Sequence, residues 1–229
     1  MHGLRHTAAR GNGSWPAGLS AALVAAQSGL DVVLVEQDFE LGGDFLNQAS
    51  PEAETKHAEL LSAIKAAGVR TMTRTTAFGL YDNNVAGLVE RVTDHLAKPA
   101  HYLPRQRFWT VRAKRTVLGT GALERYIAFG NNARPGFMSV NAGRAYLNRY
   151  GVLPGDDIID STNNDSAYES ALELAKAGAN VRLIDNRTMT PELRNDCGVS
   201  VKVDAAPVNA YGTKGIHGLE TSASDGIEN

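Results

Sequence analysis

The sequence predicts an α/β protein: a parallel sheet, an antiparallel β-meander inserted into it, and a second, incomplete βαβ unit. Three observations predict it. A turn-rich stretch, Gly11–Gly18, leads into an Ala-rich segment and then into the apolar run Val32-Val33-Leu34-Val35, closed by Glu36. An unbroken apolar run of this kind suits a strand covered on both faces, as parallel strands are. From Val69 to Leu118 the pattern turns to short strands and polar turns, and from Asp157 to Asp185 a strand–turn–helix–strand order returns.

The elements follow in order. Residues 1–10 are polar and show no strand pattern, so no strand is expected before the Gly-rich turn. Leu19–Ser28 reads as a helix stopped by Gly29. Ser50-Pro51-Glu52 places a capping hydroxyl, a proline at the first helical position and an acid in the first turn. That helix should run to about Ala67 and stop at Gly68. The strands expected next are Val69–Thr73, Thr75–Tyr81, Val85–His95, Arg107–Ala113 and Arg115–Leu118, with Asp82-Asn83-Asn84 as a turn. Lys98–Gln106 reads as a polar loop. Ser139 should cap a helix reaching Tyr150. Then come a strand at Ile158–Ser161, a helix at Ser166–Ala177 closed by Gly178, and a strand at Asn180–Asp185. Val199–Val203 and Val208–Tyr211 suggest weaker strands, and the last eight residues read as a frayed tail. These readings give a domain at 1–135 with a β insertion at about 69–118, and a second half at 136–229.

Composition limits the function. Apolar residues make up 43% of 229, enough for an ordinary core, and the net charge of -2 gives no basic surface for nucleic acid or anionic lipid. No apolar run approaches the roughly 20 residues that span a bilayer. The first six residues lack the apolar centre of a signal peptide. A single cysteine, Cys197, excludes an intrachain disulfide and fits a reducing cytoplasm; beside Gly198 in a polar stretch it reads as a loop residue. The six histidines show no metal-ligand spacing, and His57 and His95 read as surface residues. No catalytic set and no metal site is assigned.

The chemistry-bearing residues are those of a dinucleotide site. Pyrophosphate needs close backbone approach and amide donors at a helix N-terminus, which glycines permit. Gly11, Gly13 and Gly18 supply such a turn, although the third glycine is displaced and Pro16 stands in its usual place. Glu36 lies 18 residues beyond Gly18, near the spacing at which an acid accepts from ribose hydroxyls, and it disfavours a 2′-phosphate. The turn alone would serve equally as a structural lead into a helix. Val117–Ala122 contains Thr120-Gly121 at a strand end. Thr162–Tyr168 occupies the place of a second phosphate-binding turn but contains no glycine, so Asp165 or Ser166 reads as a helix N-cap. Tyr146–Tyr150 reads as packing or interface.

Several runs are more distinctive. Arg74–Asp82, Pro104–Trp109, Ala122–Arg125, Asn131–Gly136, Ala145–Val152 and Thr162–Tyr168, in that order, resemble the alpha subunits of heterotetrameric sarcosine oxidases from about Pro16 to Asp185. The resemblance implies that this is the NAD-binding part of a larger subunit. It implies beta-, gamma- and delta-type partner subunits, a flavin held largely by the beta subunit, and a folate-dependent domain elsewhere in the chain. It also implies cofactor contacts at Gly11, Gly13, Gly18, Glu36, Gly42, Gly43, Ala77, Thr120 and Gly121. The family pattern is departed from in two residues inserted before Pro16, in Gly119 where alanine is usual, and in Tyr126 where proline is usual. Two other readings stand beside it: an FAD-dependent pyridine-nucleotide oxidoreductase, and a non-catalytic remnant that keeps the fold.

Overall fold

The computed structural model describes residues 7–8, 16–188, 198–223 and 226–228. The chain divides into two units, Met1–Ala122 and Leu123–Asn229. In the first, the elements are β1 (Thr7–Ala8), α1 (Pro16–Gln27), β2 (Val33–Val35), α2 (Pro51–Ala66), β3 (Arg70–Met72), β4 (Thr75–Tyr81), β5 (Val85–Arg91), β6 (Gln106–Arg112) and β7 (Thr116–Val117). β1, β2, β3 and β7 form one parallel sheet in the order β3-β2-β1-β7. The remaining three strands form an antiparallel sheet, β4-β5-β6.

Two expectations need correction here. A strand does form before the Gly-rich turn: Thr7 and Ala8 pair with Val33 and Leu34 on one side and with Thr116 and Val117 on the other. Two residues carry no periodicity, so their strand state is set by neighbours on both sides and not by local pattern. Secondly, β3 and β7 belong to the parallel sheet, and the antiparallel excursion is confined to Thr75–Arg112.

Alternation along the apolar run explains the layering. Val32 and Leu34 pack with Leu19, Ala22, Ile64 and Val69 from the helical side. Val33 and Val35 pack with Met72, Ala77, Ala86, Leu88 and Val111 from the antiparallel sheet. Each Val, Leu or Ile among them, when fully buried, stabilises by about 1.5–3 kcal/mol relative to exposure. The helices begin and stop as their termini dictate. The Ser50 hydroxyl accepts from the Ala53 amide at 3.1 Å, and Gly29 and Gly68 take positive φ just beyond α1 and α2.

The second unit holds α3 (Val140–Tyr150), β8 (Asp157–Thr162), α4 (Ser166–Lys176), β9 (Asn180–Asp185) and β10 (Val199–Lys202). The three strands pair in parallel as β10-β9-β8. Val181 and Leu183 of β9 pack against Ala167, Tyr168, Ala171 and Leu174 of α4. β11 (Ala205–Tyr211), β12 (Gly218–Ala223) and β13 (Gly226–Glu228) form an antiparallel sheet. The frayed tail is therefore corrected: Ser222 and Ala223 pair with Ile227 and Gly226. A polar stretch has no pattern that announces this, and the backbone pairing supplies the order.

Candidate functional site

In the first unit the sheet order places a reversal at β1. The chain moves outward on one side through β2 and β3 and returns to the other side as β7. In open α/β sheets, ligands bind at such a reversal, outside the carboxyl ends of the strands. The candidate residues follow those ends. The turn with Gly11 and Gly13 joins β1 to α1 and lies outside the described residues, as does Trp15. Gly18 is buried in the first turn of α1. Glu36 follows β2 directly, and Thr120-Gly121 comes shortly after β7 in a stretch, 118–129, with no helix or strand.

Glu36 is only 1% exposed. Its amide donates to the Met72 carbonyl at 2.8 Å and its carbonyl accepts from the Thr75 amide at 2.8 Å, so its backbone is tied twice to the segment where β3 passes into β4. One carboxylate oxygen accepts from the Asp38 amide at 2.8 Å. This fixes the carboxylate at the strand end, with oxygen acceptors as the local chemistry. Ala77 is 4% exposed and its methyl belongs to the core beside Val33 and Val35.

The loop after Glu36 is held from α2. Gly42 has φ 146° and Gly43 φ 53°. The His57 Nε2 lies 2.8 Å from the Leu41 carbonyl, which can only accept, so this nitrogen donates. The His57 ring stacks on Phe45, with centroids 5.6 Å apart and planes at 24°. His57 is half-buried, a correction to its reading as a surface residue. Sequence carries no local sign of this, because its partners lie 12 and 16 residues away, off the helix. His95 is exposed.

In the second unit the turn 162–166 is closed by side chains. The Thr162 hydroxyl accepts from the Asn164 amide at 3.1 Å, and the Asn164 side-chain oxygen accepts from the Ser166 amide at 3.1 Å. Asp165 stands at the N-cap position of α4, one of the two places expected, but its carboxylate is turned to Arg187 at 2.7 Å and makes no cap bond. Arg187 also grips Asp185, which the Tyr168 hydroxyl reaches at 2.9 Å. Burial pushes the Asp185 carboxyl up, but the hydrogen bonds from Arg187 and Tyr168 outweigh it and hold it below the ordinary range. Cys197 lies outside the described residues.

One residue that sequence reasoning missed is Asp160, in β8. It is 5% exposed, and neither carboxyl oxygen makes a well-formed hydrogen bond among the described residues. Burial, with Glu124 nearby as a second cause, pushes its carboxyl up to about 7, which the Ser161 amide offsets only in part. Tyr146 and Tyr150 are exposed on α3, as an interface or packing reading of that run allows. No helix among the described residues is long and apolar enough to cross a membrane.

Comparison with known proteins adds relatives that match part of their own length. The chain is 44% identical over 184 residues to the sarcosine oxidase subunit alpha of Rhizobium meliloti (strain 1021), covering 76% of this chain and 18% of that protein. It is 42% identical over 183 residues to the sarcosine oxidase subunit alpha of Corynebacterium sp. (strain P-1), covering 77% of this chain and 19% of that protein. The chain therefore spans about a fifth of the length of the curated relatives it matches. No protein-family model matches it. Among solved structures, L-proline dehydrogenase from P. horikoshii superposes with a TM-score of 0.68 at 23% identity, over 97% of this chain and 39% of that one. Lactococcus lactis thioredoxin reductase superposes with a TM-score of 0.67 at 17% identity, over 98% of this chain and 73% of that one. These likenesses establish a Rossmann-like α/β fold. Over about three quarters of its length, the chain is similar to a segment of the sarcosine oxidase alpha subunits.

Proposed function

We propose that this relative of the sarcosine oxidase alpha subunits is the dinucleotide-binding portion of an oxidoreductase subunit, with NAD as its ligand in a domain spanning about residues 1–135. One observation supports the reading: in the parallel order β3-β2-β1-β7, Glu36 follows β2 and Thr120-Gly121 follow β7, on either side of the reversal at β1. The residues present fit the group. Glu36 offers carboxylate acceptors suited to ribose hydroxyls, and its charge would repel a 2′-phosphate. Gly11, Gly13 and Gly18 would admit the pyrophosphate to the N-terminus of α1, with Gly42, Gly43 and Ala77 on the adenosine side. A bound dinucleotide supplies two-electron chemistry, while the chain binds and orients it. We assign the oxidation of the sarcosine N-methyl group to a complex with beta-, gamma- and delta-type subunits that hold flavin and folate sites.

Titration calorimetry and thermal shift with NAD, FAD and ADP-ribose test this. At 100 times its dissociation constant a ligand stabilises the folded state by about 2.7 kcal/mol, a readable shift. Glu36→Ala should weaken NAD and ADP-ribose together. Preferential binding of FAD, visible by its absorbance, would replace NAD with the flavin. No shift with any of the three would leave a non-catalytic remnant.

A further inference from the structure

We propose that His57 is a positioning residue for dinucleotide binding, setting the backbone of the Gly42–Gly43 loop from α2. The inference rests on the reading that the first unit binds a dinucleotide, and it adds a residue outside the proposed ligand contacts.

Three contacts converge on one side chain. Nε2–H donates to the Leu41 carbonyl at 2.8 Å. The ring stacks on Phe45, whose amide in turn donates to the Gly42 carbonyl at 3.1 Å. The imidazole also fills the space a side chain at Gly42 would need, since a Cβ there would lie 2.6 Å from Nε2. The loop is thus pinned immediately before, at and after Gly42. Positive φ at Gly42 and Gly43 costs little for glycine but leaves the loop many other conformations when free. A ligand that needs one of them binds more tightly when the protein has already chosen it. This loop follows Glu36 by only six residues, so its path determines what stands beside the carboxylate.

The donor and the stack can be separated. His57→Phe keeps an aromatic ring on Phe45 and loses the donor; His57→Gln keeps a donor and loses the ring. NAD and ADP-ribose affinities of the full chain are measured by calorimetry, with hydrogen exchange of residues 41–48 in the absence of ligand. His57→Phe should weaken NAD about tenfold, roughly the effect of one hydrogen bond, and speed exchange in the loop. His57→Gln should recover most of that affinity. A loss of folding alone would lower the melting temperature without this rescue, and that result would overturn the proposal. So would unchanged affinity in His57→Phe while Glu36→Ala abolishes binding, which leaves the dinucleotide reading intact. Absence of binding in the unaltered chain overturns both.

Discussion

Arg144 of α3 holds Glu173 of α4 by two parallel bonds, Nε to Oε2 at 3.0 Å and Nη2 to Oε1 at 2.7 Å. Asn148, one turn further along α3, donates to the same carboxylate at 2.9 Å. The Arg144 side chain is 7% exposed and the Glu173 side chain 20%. Removing one partner leaves a charge stranded between two helices. Glu173→Ala should therefore cost about 3 kcal/mol in urea denaturation, whereas the double change Arg144→Met with Glu173→Leu should cost far less. Equal losses in the two variants would show that the pair contributes through packing alone.

Asp160 should make stability depend on pH in an unusual direction. Its carboxyl is held up at about 7 in the folded chain, against 3.8 for the free group. The folded state then binds the proton more tightly than the unfolded state. Its stabilisation is complete below the unfolded value and is lost as pH rises through the folded one. The full difference is about 4 kcal/mol. Asp160→Asn, neutral throughout, should gain relative to the parent between pH 5 and 8. Parallel stability curves for the two proteins across that range would refute the assignment.

Gly212 is the position where a methyl group should do most harm. Its φ is 141°, and a Cβ would run into the Gly215 carbonyl in the connection between β11 and β12. Gly29, with φ 79° beyond α1, has open space around the same atom. Gly212→Ala should cost more than about 2 kcal/mol, because backbone and not a movable side chain stands in the way. Gly29→Ala should cost about 1 kcal/mol, the left-handed penalty alone. Thermal melts that rank the two the other way would contradict the geometry of the β11–β12 turn.

What the sequence announced was local or periodic. Ser50 with Pro51, and Ser139, mark their helix starts because a cap is a neighbour of the helix it serves. Val32–Val35 announce a strand covered on both faces, and both clusters are there. The Gly-rich turn and Glu36 suggest the outline of the proposed site because strand ends and acids keep a set spacing. What stayed hidden depends on distant partners. β1 is two residues recruited by strands on either side, β12 and β13 are polar segments ordered by pairing, and Asp160 gives no hint in sequence that its strand is buried there. His57 looked like any polar helix residue until the loop bent back to meet it.

The two residues of β1 carry more than their length suggests. Among the described residues they form the seam between the β2–β3 half of the parallel sheet and β7, which pairs there with β1 alone. Glu36 sits on one bank of the seam and Thr120-Gly121 on the other. The lateral connection between those banks therefore runs through Thr7 and Ala8, a pair that is not itself among the proposed ligand contacts.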